Sequence, residues 1–412
     1  MTFNTLKEKF AAISYIFFSS FLSGVILIGI GSSFSRMLSE KGIGIATITH
    51  ILLATIPYSW KFVMSPFIKN LILKRGNSNF NILKIISYIS QIVIFFGFSL
   101  LGYLGTNDML WTATITIFLV VIAVSAHDIL KAHMKLVAFS SKQLGFISAV
   151  ENTGYRLGMF MSGVCLIYMT NAVGWSGAFV ITSFTVVFAT VATFFVSAGR
   201  ALECTSNEKP ENSFAGYFKT WRDFLKTSGF FALLILIISF KLTNSCINVV
   251  KPIFLHSLGV SRIAYANMSY FYGLVTMIIG GVVAGAVLCK WAITTCAKAT
   301  FIMQAVVSVI FTYLAIYKSD LLTIAVIVGV TTFVFGFGSV VFRTFTAEKS
   351  RRDVNIYVML LSIGSLIRIV SYSFIGFVVE NYSWCALFII CLLSNIPGYL
   401  CSKRICKPDK FL

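Results

Sequence analysis

Long apolar runs separated by short basic gaps set the pattern of this chain. A helix needs roughly 20 mostly apolar residues to cross a bilayer. Twelve runs qualify: Ala11–Ser32, Ile43–Met64, Ile85–Gly105, Leu110–Lys131, Gly145–Met169, Gly177–Ala198, Gly229–Val250, Tyr265–Cys289, Ala292–Tyr317, Leu321–Phe342, Asn355–Val379 and Tyr382–Leu400. The pattern predicts an all-α membrane protein whose twelve transmembrane helices form two six-helix bundles. Residues 1–199 make the first bundle and 228–412 the second. Residues 200–227 form a cytoplasmic linker, the longest polar stretch, ending in the amphipathic run "SFAGYFKTWRDFLK". That run is expected to lie along the membrane surface, apolar face down. A weak repeat relates the halves. The fifth span carries Arg156 and is followed by "WSGAFVI" from Trp175; the eleventh carries Arg368 and is followed by "WCALFII" from Trp384. Transporters are commonly built from such repeats, with the substrate held between them.

Composition agrees: 58% of the 412 residues are hydrophobic and only 11% charged, which leaves too little polar surface for a soluble domain. The net charge of +19 would suit nucleic acid, but the basic residues fall in short gaps rather than in one patch. They serve as topology determinants and meet anionic lipid. Of the 33 Lys and Arg, 24 fall at the termini and in the even-numbered gaps, 5 in the odd-numbered gaps and 4 inside spans. By the positive-inside rule both termini are cytoplasmic. Lys7 and Lys9 ahead of Ala11–Ser32 resemble a signal peptide, but the run is too long and no small-residue cleavage site follows. The nine cysteines, Cys204 and Cys406 among them, form no C-x-x-C pair and read as packing residues. His50, His127, His133 and His256 have no metal spacing. No Walker loop, dinucleotide turn or nucleophile elbow is present, so nothing calls for a cofactor or an enzyme, and secondary transport is favoured.

Charges inside spans are costly and are kept where they pair or line a cavity. Arg156, Lys241 and Arg368 sit near mid-span, and Asp128 and Glu151 are the clear intramembrane acids. Cations outnumber acids, which favours attraction of an anion over purely structural pairing. Lys61, near a helix end, is expected to snorkel. Asp128 in "SAHDILKAH" either pairs with Lys131 or Lys135 or binds a transported proton. Glu151 shares a face with Tyr155 and either does the same or balances Arg156. The small-residue stripes Gly154, Gly158, Ser162 and Gly281, Gly285 read as close helix packing. Tyr155, Trp60, Tyr58, Tyr270 and Tyr272 are aromatic enough to stack on sugars, though each also suits packing or interface anchoring.

The segment "SAHDILKAHMKLVAFSSKQLGFISAVENTGYRLGM", ending at Met159, resembles the AmpG-type muropeptide permeases of the major facilitator superfamily, through Asp128, Ile129, Lys135, Gly145 and "GYRLGM" at Gly154–Met159. Looser matches run along the chain: "KF" and "SP" within Lys61–Pro66, "KL" at Lys241–Leu242, "KPIFLHSLGVS" at Lys251–Ser261 and "VENYSW" at Val379–Trp384. The resemblance implies an inner-membrane symporter of the major facilitator type. It would import N-acetylglucosamine–anhydro-N-acetylmuramic acid, with or without peptide, driven by protons. An anionic glycopeptide would meet Arg156, Lys241, Arg368, Tyr155 and Asn244, and Asp128 and Glu151 would couple to protons. The chain departs from the family in carboxylates: Lys69 and Asn70 stand where an Asp-Arg pair is usual, Asn244 where an acid is frequent, and Ala132 and Val137 where acids are expected, while Glu151 is extra. The alternatives are a carrier of another bulky anion, such as an acyl-CoA-like or phosphorylated metabolite, and a membrane receptor or scaffold that does not transport.

The basic asymmetry makes a topological prediction. Reporter fusions after Leu412 and within residues 200–226 should both read cytoplasmic, and a periplasmic signal from either site would refute the assignment.

Overall fold

The computed structural model describes residues 6–43, 45–73, 79–195, 214–227, 229–260, 264, 267–317, 320–350 and 353–404. Residues 200–213 of the expected linker, the tail 405–412, Cys204, Cys406 and the side chains of Arg368, His256 and Tyr270 lie outside the described residues. The described secondary structure is helical, with no strand. In order the helices are α1 (Leu6–Ile28), α2 (Ser35–Glu40), α3 (Ile45–Leu52), α4 (Lys61–Leu73), α5 (Asn79–Thr106), α6 (Leu110–Ala138), α7 (Leu144–Phe160), α8 (Leu166–Ser183), α9 (Val186–Phe195) and α10 (Phe214–Leu225). They continue as α11 (Phe230–Ser257), α12 (Gly273–Leu288), α13 (Ile293–Ile316), α14 (Leu321–Lys349), α15 (Val354–Asn381) and α16 (Trp384–Arg404).

Several membrane crossings are interrupted helices. The first runs through α1, a π-helical turn at Gly29–Phe34 and α2. The second joins α3 to α4 through a 3-10 turn, Leu53–Tyr58, where Pro57 removes a backbone donor. The apolar stretch Ser141–Phe195 has 55 residues, about 80 Å of helix at 1.5 Å per residue, against a hydrocarbon core of roughly 30 Å. It is therefore two crossings, and the chain reverses at Gly174, whose φ of 68° and ψ of 176° only glycine adopts readily. With α15 as the eleventh crossing, the twelve expected spans are present.

The sequence distribution is inside-out relative to a soluble helix. On α5, Ile85, Ile89, Ile92, Phe96, Leu100 and Tyr103 form an exposed stripe, while Ser87, Ser90 and Gln91 are buried. A lipid-facing surface must be apolar, and polar groups stay inside where partners exist. In α10, Trp221 and Phe224 are buried, and the Phe224 ring meets Phe230 edge-on at 5.9 Å.

The described residues form two compact units. One comprises Met1–Tyr217 with Ser350–Met359; the other comprises Phe218–Lys349 with Leu360–Leu412. Each unit repeats the same aromatic arrangement. In the first, Phe179 of α8 packs against Phe34 (6.3 Å), Phe98 (5.1 Å) and Trp175 (6.5 Å). In the second, Phe388 of α16 packs against Phe254 (5.1 Å) and Phe311 (5.2 Å), with Trp384 on Phe254 (5.4 Å). The phenylalanines of the two "W-x-x-x-F" segments therefore each pack on two further Phe rings in their own units, while Trp175 meets Phe179 and Trp384 meets Phe254.

Small residues set the closest helix approaches, as expected for packing without a hydrophobic drive between helices. A Cβ at Gly154 would strike the Phe17 carbonyl oxygen, and one at Gly158 that of Phe21, so α7 lies backbone-to-backbone on α1. Ser162 ends that stripe in a π-helical turn, Met161–Cys165, and its carbonyl accepts from Ser33 Oγ at 2.6 Å. In the second unit the tightest contacts fall at Gly280, against Phe333, and at Gly336, against Met277. Gly280 thus carries the close approach of α12 one residue before the predicted Gly281, and both Gly281 and Gly285 are buried.

Gly158→Ala should destabilise the folded protein by about 1–3 kcal/mol, the usual cost of overpacking. Gly31→Ala, where a Cβ meets nothing within 4 Å, should be tolerated. Thermal unfolding of the purified variants checks this, and equal melting of the two would refute it.

Candidate functional site: a buried charge cluster in the first unit

The sequence of α6 dictates the core of the site. Asp128, Lys131 and Lys135 stand at i, i+3 and i+7, which places them on one face of a helix. The helix runs to Ala138, seven residues past the expected end of the span, so Lys131 and Lys135 are not loop charges. Both are buried, as are Asp128 and Glu151.

Four donors converge on Asp128. Its Oδ1 accepts from Ser23 Oγ of α1 (2.7 Å) and Lys131 Nζ (2.8 Å); its Oδ2 accepts from Tyr58 OH (2.8 Å) and Lys61 Nζ of α4 (2.7 Å). The expectation that Lys61 snorkels is corrected: its ammonium turns inward to the carboxylate and lies 3.4 Å above the Tyr58 ring. A desolvated carboxylate offers a cation far more than an interface does. The break in the second crossing makes this possible, because the 3-10 turn ending at Tyr58 brings Tyr58 and Lys61 to the same carboxylate.

Glu151 of α7 accepts from Lys135 Nζ at 2.9 Å, and Lys131 Nζ lies 3.8 Å from its other oxygen. Lys131 therefore bridges the two acids. Arg156, one of the partners considered for Glu151, directs Nη1 to Met159 Sδ (3.2 Å) and lies 5.7 Å from the Tyr155 ring. Lys135 Nζ also donates to Tyr357 OH at 3.3 Å, and Ser65 Oγ donates to Asn355 Oδ1 at 2.6 Å. Tyr357 and Asn355 belong to the segment Ser350–Met359 of this unit. Beside Asp128, His127 meets Gln91 Nε2 at 3.2 Å, and Gln91 donates to Thr193 Oγ1 at 2.9 Å.

Among the described residues, these ion pairs set Lys61, Lys131 and Lys135 against Asp128 and Glu151, an excess of one positive charge. Sequence spacing on α6 makes Lys131 and Lys135 accessible to prediction. Nothing in the sequence points to Ser23, Asn355 or Tyr357, which arrive from distant helices.

In the second unit, Lys241 of α11 lies 4.6 Å from the Phe342 ring centroid and 5.9 Å from that of Phe240, and these two rings stack at 4.8 Å. A Cβ at Gly364 would sit 2.8 Å from Lys241 Cε, so the missing side chain gives the lysine stem its room. Aromatic faces attract a desolvated ammonium. Asn244, one turn on, accepts from Asn248 Nδ2 at 3.1 Å. Among the described residues no group of His, Cys, Asp and Glu has metal-ligand geometry.

Removing one partner of a buried ion pair costs about 3–5 kcal/mol. Asp128→Asn should therefore lower stability strongly, and Lys61→Met should cost less in that background than alone. A double-mutant cycle read by thermal unfolding checks the coupling; strictly additive effects would refute it.

No protein-family model matches the chain. It is similar to "Putative transporter AmpG 2" of Rickettsia typhi, with 22% identity over 391 residues, covering 94% of each chain. "Putative transporter AmpG 1" of Rickettsia bellii is 23% identical over 403 residues, covering 96% of this chain and 98% of the relative. "Putative transporter AmpG 4" of Rickettsia felis is 24% identical over 396 residues, covering 93% and 94%. Among solved structures, the human organic anion transporter MFSD10 (TETRAN) matches with a TM-score of 0.71 at 10% identity, covering 96% of this chain and 99% of that one. The chain is thus a multi-pass membrane transporter with the major facilitator fold, and it resembles the AmpG transporters along nearly its whole length.

Proposed function

We propose that this protein imports anhydromuropeptides, fragments of peptidoglycan, across the inner membrane in symport with protons, with both termini in the cytoplasm. The AmpG names of its relatives support the substrate class. The observation that carries the coupling is Lys131, bridging two buried carboxylates in a cluster with one excess positive charge.

The chemistry follows from charge balance. A proton on Asp128 removes the anion that holds Lys61 and Lys131. The positive charge around Lys61 and Lys131 is then less compensated, and a substrate carboxylate restores the balance. Proton and substrate binding reinforce each other, which is the requirement for symport. Glu151 plays the same part for Lys131 and Lys135. Arg156 and Tyr155 in the first unit, and Lys241, Asn244 and Arg368 in the second, are the further residues we assign to contact with the anionic substrate. Arginine suits a carboxylate because its planar fork binds both oxygens.

Uptake of a labelled anhydromuropeptide into proteoliposomes tests the reading. The double variant Asp128→Asn, Glu151→Gln should lose its response to the pH gradient and keep counterflow exchange. Arg156→Gln or Lys241→Gln should weaken affinity roughly tenfold to a hundredfold, the worth of one charge-assisted hydrogen bond, for the anion but not for its neutral amide. Accumulation against a gradient by the double variant would sink the coupling scheme, and no uptake of any candidate anion by the parent would favour a receptor.

A further inference from the structure

Two glycines stand inside long helices of the second unit without a backbone reason to be glycine. Gly338 of α14 and Gly364 of α15 do not take the positive φ found at Gly42, Gly174 and Gly259. Glycine weakens a helix interior relative to alanine, so the reason has to lie in packing. The neighbours supply it. A Cβ at Gly338 would lie 2.9 Å from Phe240 Cε2 and 2.9 Å from Thr300 Cγ2. A Cβ at Gly364 would lie 2.8 Å from Lys241 Cε, 3.5 Å from its Cγ and 3.6 Å from its Cδ.

Phe240 and Lys241 are consecutive residues of α11, and the two glycines make room for one each. Gly338 admits the Phe240 ring, which is buried and stacks on the buried Phe342 ring at 4.8 Å with 3° between the planes. Gly364 admits the stem of Lys241, whose Nζ lies 4.6 Å from the Phe342 centroid. A ring face holds an ammonium without cancelling its charge. All these residues belong to the second unit.

A methyl group would act differently at the two positions. Beside Gly338 it meets a buried, stacked ring that has little room to move. Beside Gly364 it meets the far end of a flexible chain. Ordinary contact begins at 3.4 Å, so the lysine stem would give by about 0.6 Å. That exceeds the roughly 0.5 Å within which a binding group has to be held.

We propose that Gly364 is a specificity-determining residue: by leaving the Lys241 stem its room, it seats the ammonium on the Phe342 face, where that ammonium meets the carboxylate of the substrate. Gly364 acts through Lys241 and is a positioning residue. The effect on substrate rests on the assignment of Lys241 to the anion made above; the seat itself does not.

The seat is read by NMR on the full-length purified protein carrying 13C-labelled lysine, with the Lys241 signal identified by its loss in Lys241→Gln. A phenyl face shifts nuclei above it upfield. Gly364→Ala should move the Lys241 Hε signal downfield, toward those of exposed lysines. Specificity is read as the affinity for an anhydromuropeptide and for its neutral amide. Gly364→Ala should weaken binding of the anion about tenfold, the lower worth of one charge-assisted hydrogen bond, and leave the amide unchanged. It should add nothing in a Lys241→Gln background. Phe342→Leu removes the ring face from the other side, should act in the same direction, and serves if Gly364→Ala folds poorly. An unmoved Lys241 signal in Gly364→Ala would overturn the seat. A moved signal with parental anion affinity, where Lys241→Gln does weaken the anion, would overturn the specificity role; so would equal weakening of anion and amide. If Lys241→Gln itself binds the anion as tightly as the parent, the assignment of Lys241 to the substrate fails and the seat read by NMR stands.

Discussion

A carboxylate buried in a membrane-spanning bundle has to be satisfied by the protein, and much of the first unit is arranged around how Asp128 is. Its two oxygens accept from the first, second and fourth crossings, through Ser23, Tyr58, Lys61 and Lys131. The 3-10 turn that interrupts the second crossing follows from the same need, because it brings two donors to one acid. The close seating of α7 on α1, made by Gly154 and Gly158, places Glu151 near the same lysines. Each ion pair compensates a desolvation cost that neither partner could bear alone. The result is a network in which changing the charge on one member redistributes the others.

The second unit keeps the aromatic frame of the first. Its aromatic cluster around Phe388 repeats the one around Phe179. Gln91 and Gln304 also correspond, each standing seven residues before the phenylalanine of that cluster, Phe98 or Phe311. Gln91 finds His127 and Thr193, whereas the amide atoms of Gln304 have no hydrogen-bond partner among the described residues. Lys241 rests on the faces of Phe240 and Phe342. Among the described residues, the buried acid–base network of Asp128, Glu151, Lys61, Lys131 and Lys135 belongs to the first unit.

Sequence alone determined the helical class, the twelve crossings and the repeat, because each rests on a local quantity: the length of an apolar run, the charge of a gap, the spacing of Trp and Phe. It also placed Asp128, Lys131 and Lys135 on one helical face, since 3.6 residues per turn is fixed by the backbone. Beyond offering Lys131 to Asp128 on the same helix, it could not assign partners. Lys61 has the sequence signature of a snorkelling residue, and only the interrupted second crossing turns it inward. Glu151 of α7 pairs with Lys135 of α6. Tyr357 lies 222 residues from Lys135, and Asn355 lies 290 from Ser65. Which charge meets which across helices depends on bundle packing, breaks in helices and glycine-made approaches, and these are decided by the burial of many side chains at once rather than by any local run of residues.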